Sequence, residues 1–371
     1  MPLHPTANAR DPRDPSRPIN VLIVDDSAVV RAVLSRELKK VPGLNVLPPA
    51  NDPYEARDRI AKFKPDVLVL DVEMPKMDGI TFLKLLMQHH PIPTIIVSSI
   101  TPRGSSTAMA ALEAGAVEVL CKPNGSTSVI EVGQNLVKLI RVAANARLTR
   151  RAAPPANATA ARPAAVQSAV KAPTPTTTGS GPIIAIGAST GGVQALTAVL
   201  KDFPANAPAT LVVQHMPPGF TAGLATRLNE LCAVNIKEAE DGDVIVPHRV
   251  LIAPGGYHMV VAKQGINYVV RLTQTEPIHH QRPAVDVTFE SVAKHFSTRT
   301  IATILTGMGA DGADGLLQIR KAGGRTMAQD EKSCVVFGMP AQAIKVGAAK
   351  EVLPLHNMAG ALLRPRSRRA A

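Results

Sequence analysis

The sequence predicts an α/β protein of two doubly wound parallel-sheet domains joined by a flexible linker. Three observations carry this. Apolar strand-like runs alternate with amphipathic helical stretches in both halves of the chain, the pattern of parallel sheets covered on both faces. Between the halves, residues 143–180 are dominated by Ala, Pro and Thr, and cannot bury enough surface to offset their ordering entropy. A length of 371 residues is sufficient for two separate cores.

In the first half, residues 19–142, the strands read "INVLIV", "DVLVL", "PTIIVSS" and "VEVLC". The helical stretches include "SAVVRAVLSRELKK", "EARDRIAKF", "GITFLKLLMQ" and "TSVIEVGQNLVKLI". A further strand near "LNVLPP" belongs at a sheet edge because of its prolines. In the second half, residues 181–363, "PIIAIG" precedes a helix near 192–201, then "ATLVVQ". A polar, turn-rich stretch follows, with short strands near 244–253, 257–262 and 267–273 that form an inserted antiparallel hairpin. A helix near 285–296 leads to "TIATILTG", another helix and "RTMAQ". Residues 1–18 read as a disordered extension and 364–371 as a basic tail.

The formal charge of +12 raises the question of nucleic acid. Its location answers against it. Residues 143–180 hold five Lys/Arg and no acid, and residues 361–371 hold four Arg and no acid, so the globular parts are nearly neutral. There is no zinc-finger spacing and no basic recognition helix. No apolar run approaches the roughly 20 residues of a membrane span. The N-terminus has no apolar core of the kind a secretory signal needs. Three scattered cysteines, Cys121, Cys232 and Cys334, read as reduced thiols of a cytosolic protein.

Acidic residues collect at strand ends in the first half. Asp25 and Asp26 follow the first strand and Asp71 the third. In a doubly wound sheet these carboxyl ends converge at the topological switch point. Close carboxylates repel one another unless a cation joins them, and hard oxygen ligands suit Mg²⁺. Ser98 and Lys122 end the next two strands and add a hydroxyl and an ammonium to the same rim. With "VDDS", "LDVEMPKMDG", "VSS" and "CKP", residues 19–142 resemble the flavodoxin-like receiver domain of two-component response regulators. The resemblance implies that Asp71 accepts a phosphoryl group from a histidine kinase. Asp25, Asp26, Asp71 and the carbonyl of Glu73 would then hold Mg²⁺, Lys122 would pair with the phosphoryl group, and Ser98 would sense it.

The second half carries "IGASTGG" after a buried strand. A phosphate-binding P-loop needs a lysine where Val193 stands, and a dinucleotide fingerprint needs glycine where Ser189 stands. Gly187 to Gly191 instead fit G-x-S-x-G, with Ser189 on a strand-to-helix turn and Thr190 beside it. His215 follows the next strand, 26 residues on, so both side chains emerge at adjacent carboxyl ends. A third group must orient the imidazole. Asp311, just past another buried strand, is ranked first. Asp286, expected to start a helix, and Asp314, further from the strand end, are rivals. His279 and His280 read as rim residues.

"IGASTGG", "QHMPPGF", "APGGYHM", "QRPAVDVTFES" and "LTGMGADGADGL" resemble the catalytic domain of the chemotaxis protein-glutamate methylesterases, which are also protein-glutamine deamidases. That resemblance implies Ser189 as nucleophile, His215 as general base, Asp311 as its partner, and the Met308 N–H in the oxyanion hole, with Thr190 also assigned to the oxyanion and substrate site. It implies methylated glutamate or glutamine on cytoplasmic chemoreceptor helices as substrate, with no cofactor for hydrolysis. A cytoplasmic monomer, inhibited by its receiver until Asp71 is phosphorylated, is the expectation.

Overall fold

The structure is a computed structural model that describes residues 17–74, 77–98, 102–122, 129–148 and 181–364. Most of the expected N-terminal extension, residues 149–180 of the expected linker and the tail from 365 lie outside the described residues.

The first half builds β1 (Ile19–Val24), α1 (Ala28–Lys39), β2 (Leu44–Val46), α2 (Pro53–Phe63) and β3 (Val67–Asp71). It continues through α3 (Gly79–His89), β4 (Thr94–Ser98), α4 (Pro102–Ala114), β5 (Glu118–Cys121) and α5 (Val129–Ala143). All strands are parallel, in the order β2-β1-β3-β4-β5. The three-residue β2 lies at the edge, as its prolines predict. β3 and β4 are buried at every residue because helices cover both faces, so they show no alternation. Helix starts are capped locally. The Ser27, Asp52 and Asp78 side chains accept from backbone N–H groups of α1, α2 and α3.

The second half runs β6 (Ile183–Ala188), α6 (Gly192–Lys201), β7 (Ala209–Gln214), α7 (Phe220–Leu231), β8 (Asn235–Glu238) and β9 (Arg249–Ile252). The hairpin β10 (His258–Gln264) and β11 (Asn267–Thr273) follows, then α8 (Val285–Phe296), β12 (Thr300–Ile304) and α9 (Ala313–Lys321). β13 (Arg325–Gln329), α10 (Met339–Lys345), β14 (Glu351–Leu353) and α11 (Leu355–Leu363) complete it. The sheet is parallel, in the order β14-β13-β12-β6-β7-β9-β8. The chain leaves β6 toward β7 on one side and later returns to β12 on the other. The carboxyl end of β6, where Ser189 sits, is therefore a switch point. The antiparallel β10–β11 hairpin is present as expected.

Several elements are additions to the sequence reading. Helix α7 occupies part of the stretch read as polar and turn-rich. It buries Phe220, Leu224, Ala225 and Leu228, a helical stripe that the preceding Pro-Pro-Gly and the internal Gly223 obscure. β8 and β14 have four and three residues, too short to show a period. Of the strand read near 244–253, only Arg249–Ile252 forms, with Val244 in an isolated bridge to Val269.

Candidate functional site

Ser189 ends β6 on a turn built from backbone. Its N–H donates to the Thr306 carbonyl (3.0 Å), and its carbonyl accepts from the Gly192 N–H (2.7 Å) and the Gln214 side chain (3.0 Å). Gly191 closes the turn at φ +76°, and a Cβ there would lie 2.6 Å from the Val335 Cβ, so both conformation and space require glycine. His215 lies one strand over. Gln214 pairs with Ala188 in register, and the His215 N–H donates to the Ala188 carbonyl (3.1 Å). Both side chains are nearly buried, each residue 8% exposed. The expectation from strand ends thus matches the backbone register.

The His215 ring has one nitrogen engaged and one open. Nε2 lies 2.7 Å from Asp311 Oδ2. Nδ1 is buried with no hydrogen-bond partner among the described residues. Of the two rival acids, Asp314 is exposed on α9 and Asp286 lies behind Asp311, so neither takes this contact. Asp311 also accepts from the Val285 N–H (2.7 Å) and the Asp286 N–H (3.0 Å), which makes it the N-terminal cap of α8, supplied from a distant loop. Burial alone would push Asp311 up. The hydrogen bond and charge of His215 and these two N–H groups outweigh it and hold the carboxyl below its ordinary value.

Asp286, in the first turn of α8 as expected, is also buried. Its Oδ1 accepts from the Gly315 N–H (2.7 Å) and its Oδ2 faces His279 Nε2 at 3.2 Å. Burial, reinforced by the Asp311 charge, pushes it up to about 6. His279 and His280 are exposed, as read, but the pairing of His279 with Asp286 was not foreseen.

Met308 is half-exposed on the loop beyond β12. Gly307 anchors that loop, donating to the Val336 carbonyl (3.1 Å) and accepting from the Met339 N–H (2.8 Å). A Cβ on Gly307 would lie 2.8 Å from the Ser189 Cβ, so glycine lets the loop backbone at this position, next to Met308, lie against the serine. The Met308 N–H has no hydrogen-bond acceptor among the described residues.

The first half holds a separate cluster. Asp25 and Asp71 are buried and Asp26 is exposed, with one oxygen of each within 4.8 Å of the others. Lys122 Nζ lies 2.6 Å from Asp71 and 3.6 Å from Asp25. Burial first, then mutual repulsion, pushes Asp25 up, and burial pushes Asp71 up against the Lys122 hydrogen bond. Three hard oxygen donors with unfavourable mutual charge fit a small divalent cation. The Glu73 N–H donates to Asp71 (3.1 Å), which places that residue's backbone at the cluster. Ser98 is fully buried at the end of β4, and its carbonyl accepts from the Lys122 N–H (2.8 Å).

The two halves meet beside Ser189. Thr190 Oγ1 donates to Glu118 on β5 (2.7 Å), and Gln194 on α6 donates to the Ala116 carbonyl (2.9 Å). Met109 and Leu112 of α4 join Phe220 and Leu224 of α7 in one apolar cluster, and Arg227 of α7 holds Glu113 through two contacts (2.6 and 3.1 Å). The Arg227–Glu113 pair is partly exposed and contributes about 0–1 kcal/mol. Burying each large apolar side chain contributes about 1.5–3 kcal/mol, so apolar packing holds this contact. Burial pushes Glu118 up to about 7, although the residue keeps partial solvent contact. Sequence reasoning passed over Glu118. Its signal was an acid inside the otherwise apolar strand "VEVLC".

Comparison with known proteins agrees with this two-part layout. The family model described as CheB methylesterase matches residues 184–362, and that of the response regulator receiver domain matches 21–132. The chain is 47% identical over 346 residues to a protein-glutamate methylesterase/protein-glutamine glutaminase of Syntrophus aciditrophicus, covering 93% of this chain and 98% of that one. It is 48% identical to one from Pseudomonas aeruginosa, covering 95% and 99%. The crystal structure of the Thermotoga maritima CheB methylesterase catalytic domain is 43% identical and covers 49% of this chain and 97% of that one, with a TM-score of 0.49. With near-complete coverage at such identity, the chain belongs to the CheB methylesterase family, carrying a response regulator receiver domain ahead of the methylesterase domain.

Proposed function

We propose that the protein is a phosphorylation-activated hydrolase that converts glutamate methyl esters and glutamines on cytoplasmic chemoreceptor helices into glutamates. The observation that carries the chemistry is the His215 ring, tied to Asp311 through Nε2 with its buried Nδ1 left without a partner, on the strand end next to that of Ser189. Ser189 Oγ attacks the substrate carbonyl while its proton passes to His215 Nδ1. The oxyanion forms against the Met308 N–H and the positive N-terminal end of α6. The protonated ring returns its proton to the departing methoxide or amide nitrogen, releasing methanol or ammonia and leaving an acyl-serine. Water then attacks, again giving a proton to Nδ1, and glutamate leaves as Ser189 regains its hydrogen. Asp311 makes no bond to substrate. It fixes the ring orientation and stabilises the imidazolium.

The receiver supplies control. Asp71 is the phosphoryl acceptor, and Asp25, Asp26, Asp71 and the Glu73 carbonyl are the residues that would hold Mg²⁺, which would neutralise charge on the incoming phosphoryl group. Lys122 pairs with the phosphoryl group and Ser98 senses it. In the arrangement described here, α4 and β5 lie against α6, α7 and Thr190, and so obstruct a large helical substrate. Phosphorylation shifts the equilibrium toward an open arrangement. The enzyme is read as a cytoplasmic monomer that meets receptors and their histidine kinase, and no helix among the described residues is long and apolar enough to cross a membrane. Methanol release from a methylated receptor preparation, with and without a phosphodonor, tests the reading. An unresponsive rate removes the regulatory part, and no methanol at all removes the whole.

A further inference from the structure

Asp311 does not act on His215 from an isolated position. Its two oxygens are held by the first N–H groups of α8, and the second of these belongs to Asp286. The Asp286 carboxyl turns back to the start of α9, accepting from the Gly315 N–H, and meets the ring of His279. One atom each of His279, Asp286 and Asp311 falls within 4.8 Å of the others. All three are already engaged, so the line His279–Asp286–Asp311–His215 reads as a relay of charge behind the nucleophile.

The backbone around His279 points the same way. Ile278 and Gln281 exchange both backbone hydrogen bonds (3.1 and 2.8 Å), and the residues between them, His279 and His280, have φ of +52° and +62°. Two consecutive positive φ values in a two-residue turn favour Asn and Gly, yet this chain places histidines there. Strained non-glycine residues persist where something depends on them. Here the strained turn holds an imidazole against a buried carboxylate.

We propose that Asp286, backed by His279, is a positioning residue for hydrolysis, setting through Asp311 how firmly the His215 ring is held and how well it carries charge. The proposal rests on the roles given above to Ser189, His215 and Asp311. An ionised Asp286 puts a second negative charge behind Asp311 and favours the imidazolium that forms as Ser189 loses its proton. A protonated Asp286 instead donates to Asp311 and weakens it as an acceptor for His215. Because burial and the Asp311 charge push Asp286 up to about 6, weak acid suffices to protonate it. The His279 ring, 3.2 Å from Oδ2, favours the ionised carboxylate and opposes that step. Other titratable groups on the surrounding elements are placed differently. His258 on β10 is engaged at both ring nitrogens, by the Ala284 N–H and the Glu276 carbonyl. Arg282 donates to the Gln274 and Thr275 carbonyls, and His280, Glu276, Glu290 and Asp314 are exposed.

The test is the pH profile of kcat and kcat/KM for methanol release by the full-length protein with saturating phosphodonor. His279→Gln should move the acid limb to higher pH by roughly half a unit or more, about threefold in rate on that limb. Asp286→Asn keeps an acceptor for Gly315 and donates permanently to Asp311. It should lower kcat about tenfold with KM unchanged, move the limb to lower pH, and abolish the effect of His279→Gln in the double variant. Opposite shifts that vanish together support the relay. Limbs that stay in place in both folded variants, or a His279→Gln shift that survives in the Asp286→Asn background, overturn it. If Asp286→Asn does not fold, the exposed His279→Gln decides alone by the presence or absence of its upward shift. Ser189→Ala, run alongside, separates the two levels: residual activity there overturns the nucleophile assignment and this proposal with it, whereas an inactive Ser189→Ala with unshifted limbs overturns the relay only.

Discussion

Both halves of the molecule gather buried carboxylates near the carboxyl ends of parallel strands, Asp286 from the first turn of α8, yet the two clusters are tuned in opposite ways. In the receiver, Asp25 and Asp71 are both pushed up, although Lys122 lies within ion-pair distance of each. In the methylesterase domain, Asp311 is held down while Asp286 is pushed up. The difference lies in the hydrogen bonds. Asp311 takes two helix N–H groups and a histidine, whereas Asp25 takes one backbone N–H and Asp71 takes one backbone N–H and the Lys122 ammonium. A cluster raised as a whole suits the arrival of a cation and a charged group. A pair split apart suits fixed roles, one acid always ionised and its neighbour titrating. Similar topology therefore produces two chemistries, and burial set against the hydrogen bonds and charges around each carboxylate decides which.

The comparison breaks most completely at Ser189. Ser189→Ala should lower methanol and ammonia release roughly 10⁴-fold or more with the fold intact, since the proposed mechanism uses one nucleophile for both reactions. Near-normal turnover by a folded variant would take Ser189 out of the mechanism. Asp311→Asn should come next, about 10- to 100-fold milder than Ser189→Ala, because in the proposed mechanism Asp311 stabilises charge but breaks no bond. Should Asp314→Asn, on an exposed residue, prove the more damaging change, the choice of Asp311 fails.

The receiver cluster should behave as a switch rather than as machinery. Asp71→Asn should remove stimulation by phosphodonors and leave basal hydrolysis unchanged within about twofold. A fragment from Gly181 to the C-terminus should exceed the unphosphorylated full-length protein several-fold and ignore phosphodonors. A fragment no faster than the whole would mean that the receiver does not act by obstruction, and that phosphorylation works by reshaping the site.

The smallest effect is expected at the seam. Glu118 is raised above its ordinary value in the closed arrangement, so its support for closure is full at low pH and declines as pH rises through about 7. Basal activity of the unphosphorylated protein should therefore rise by roughly two- to threefold more than that of the fragment between weakly acidic and weakly alkaline buffer. Glu118→Gln, neutral at every pH, should flatten that excess. An excess identical in wild type and Glu118→Gln would show that ionisation of Glu118 does not govern the seam.

Much of both sites was legible without coordinates. The strand-end rule placed Asp25, Asp71 and Lys122 together, and Ser189 beside His215, because parallel strands of known order bring successive carboxyl ends to one rim. The preference for Asp311 over Asp286 also followed from strand ends, and Asp311 makes the contact to His215. Helix α7 escaped because Pro, Gly and polar residues broke up a stripe that tertiary burial nonetheless uses.

What the sequence by itself determined is the order and type of most elements and the residues delivered to the ends of the strands, since these depend on local periodicity and on one general rule of chain topology. Only the tertiary structure decided how those residues are tuned. That Asp311 caps α8, that Asp286 meets His279 across a strained turn, and that Glu118 reaches Thr190 all depend on contacts between segments distant in the chain. Charge and hydrogen bonding act over a few ångströms of space regardless of sequence separation, so the direction of each carboxyl's shift became readable only once the segments were packed.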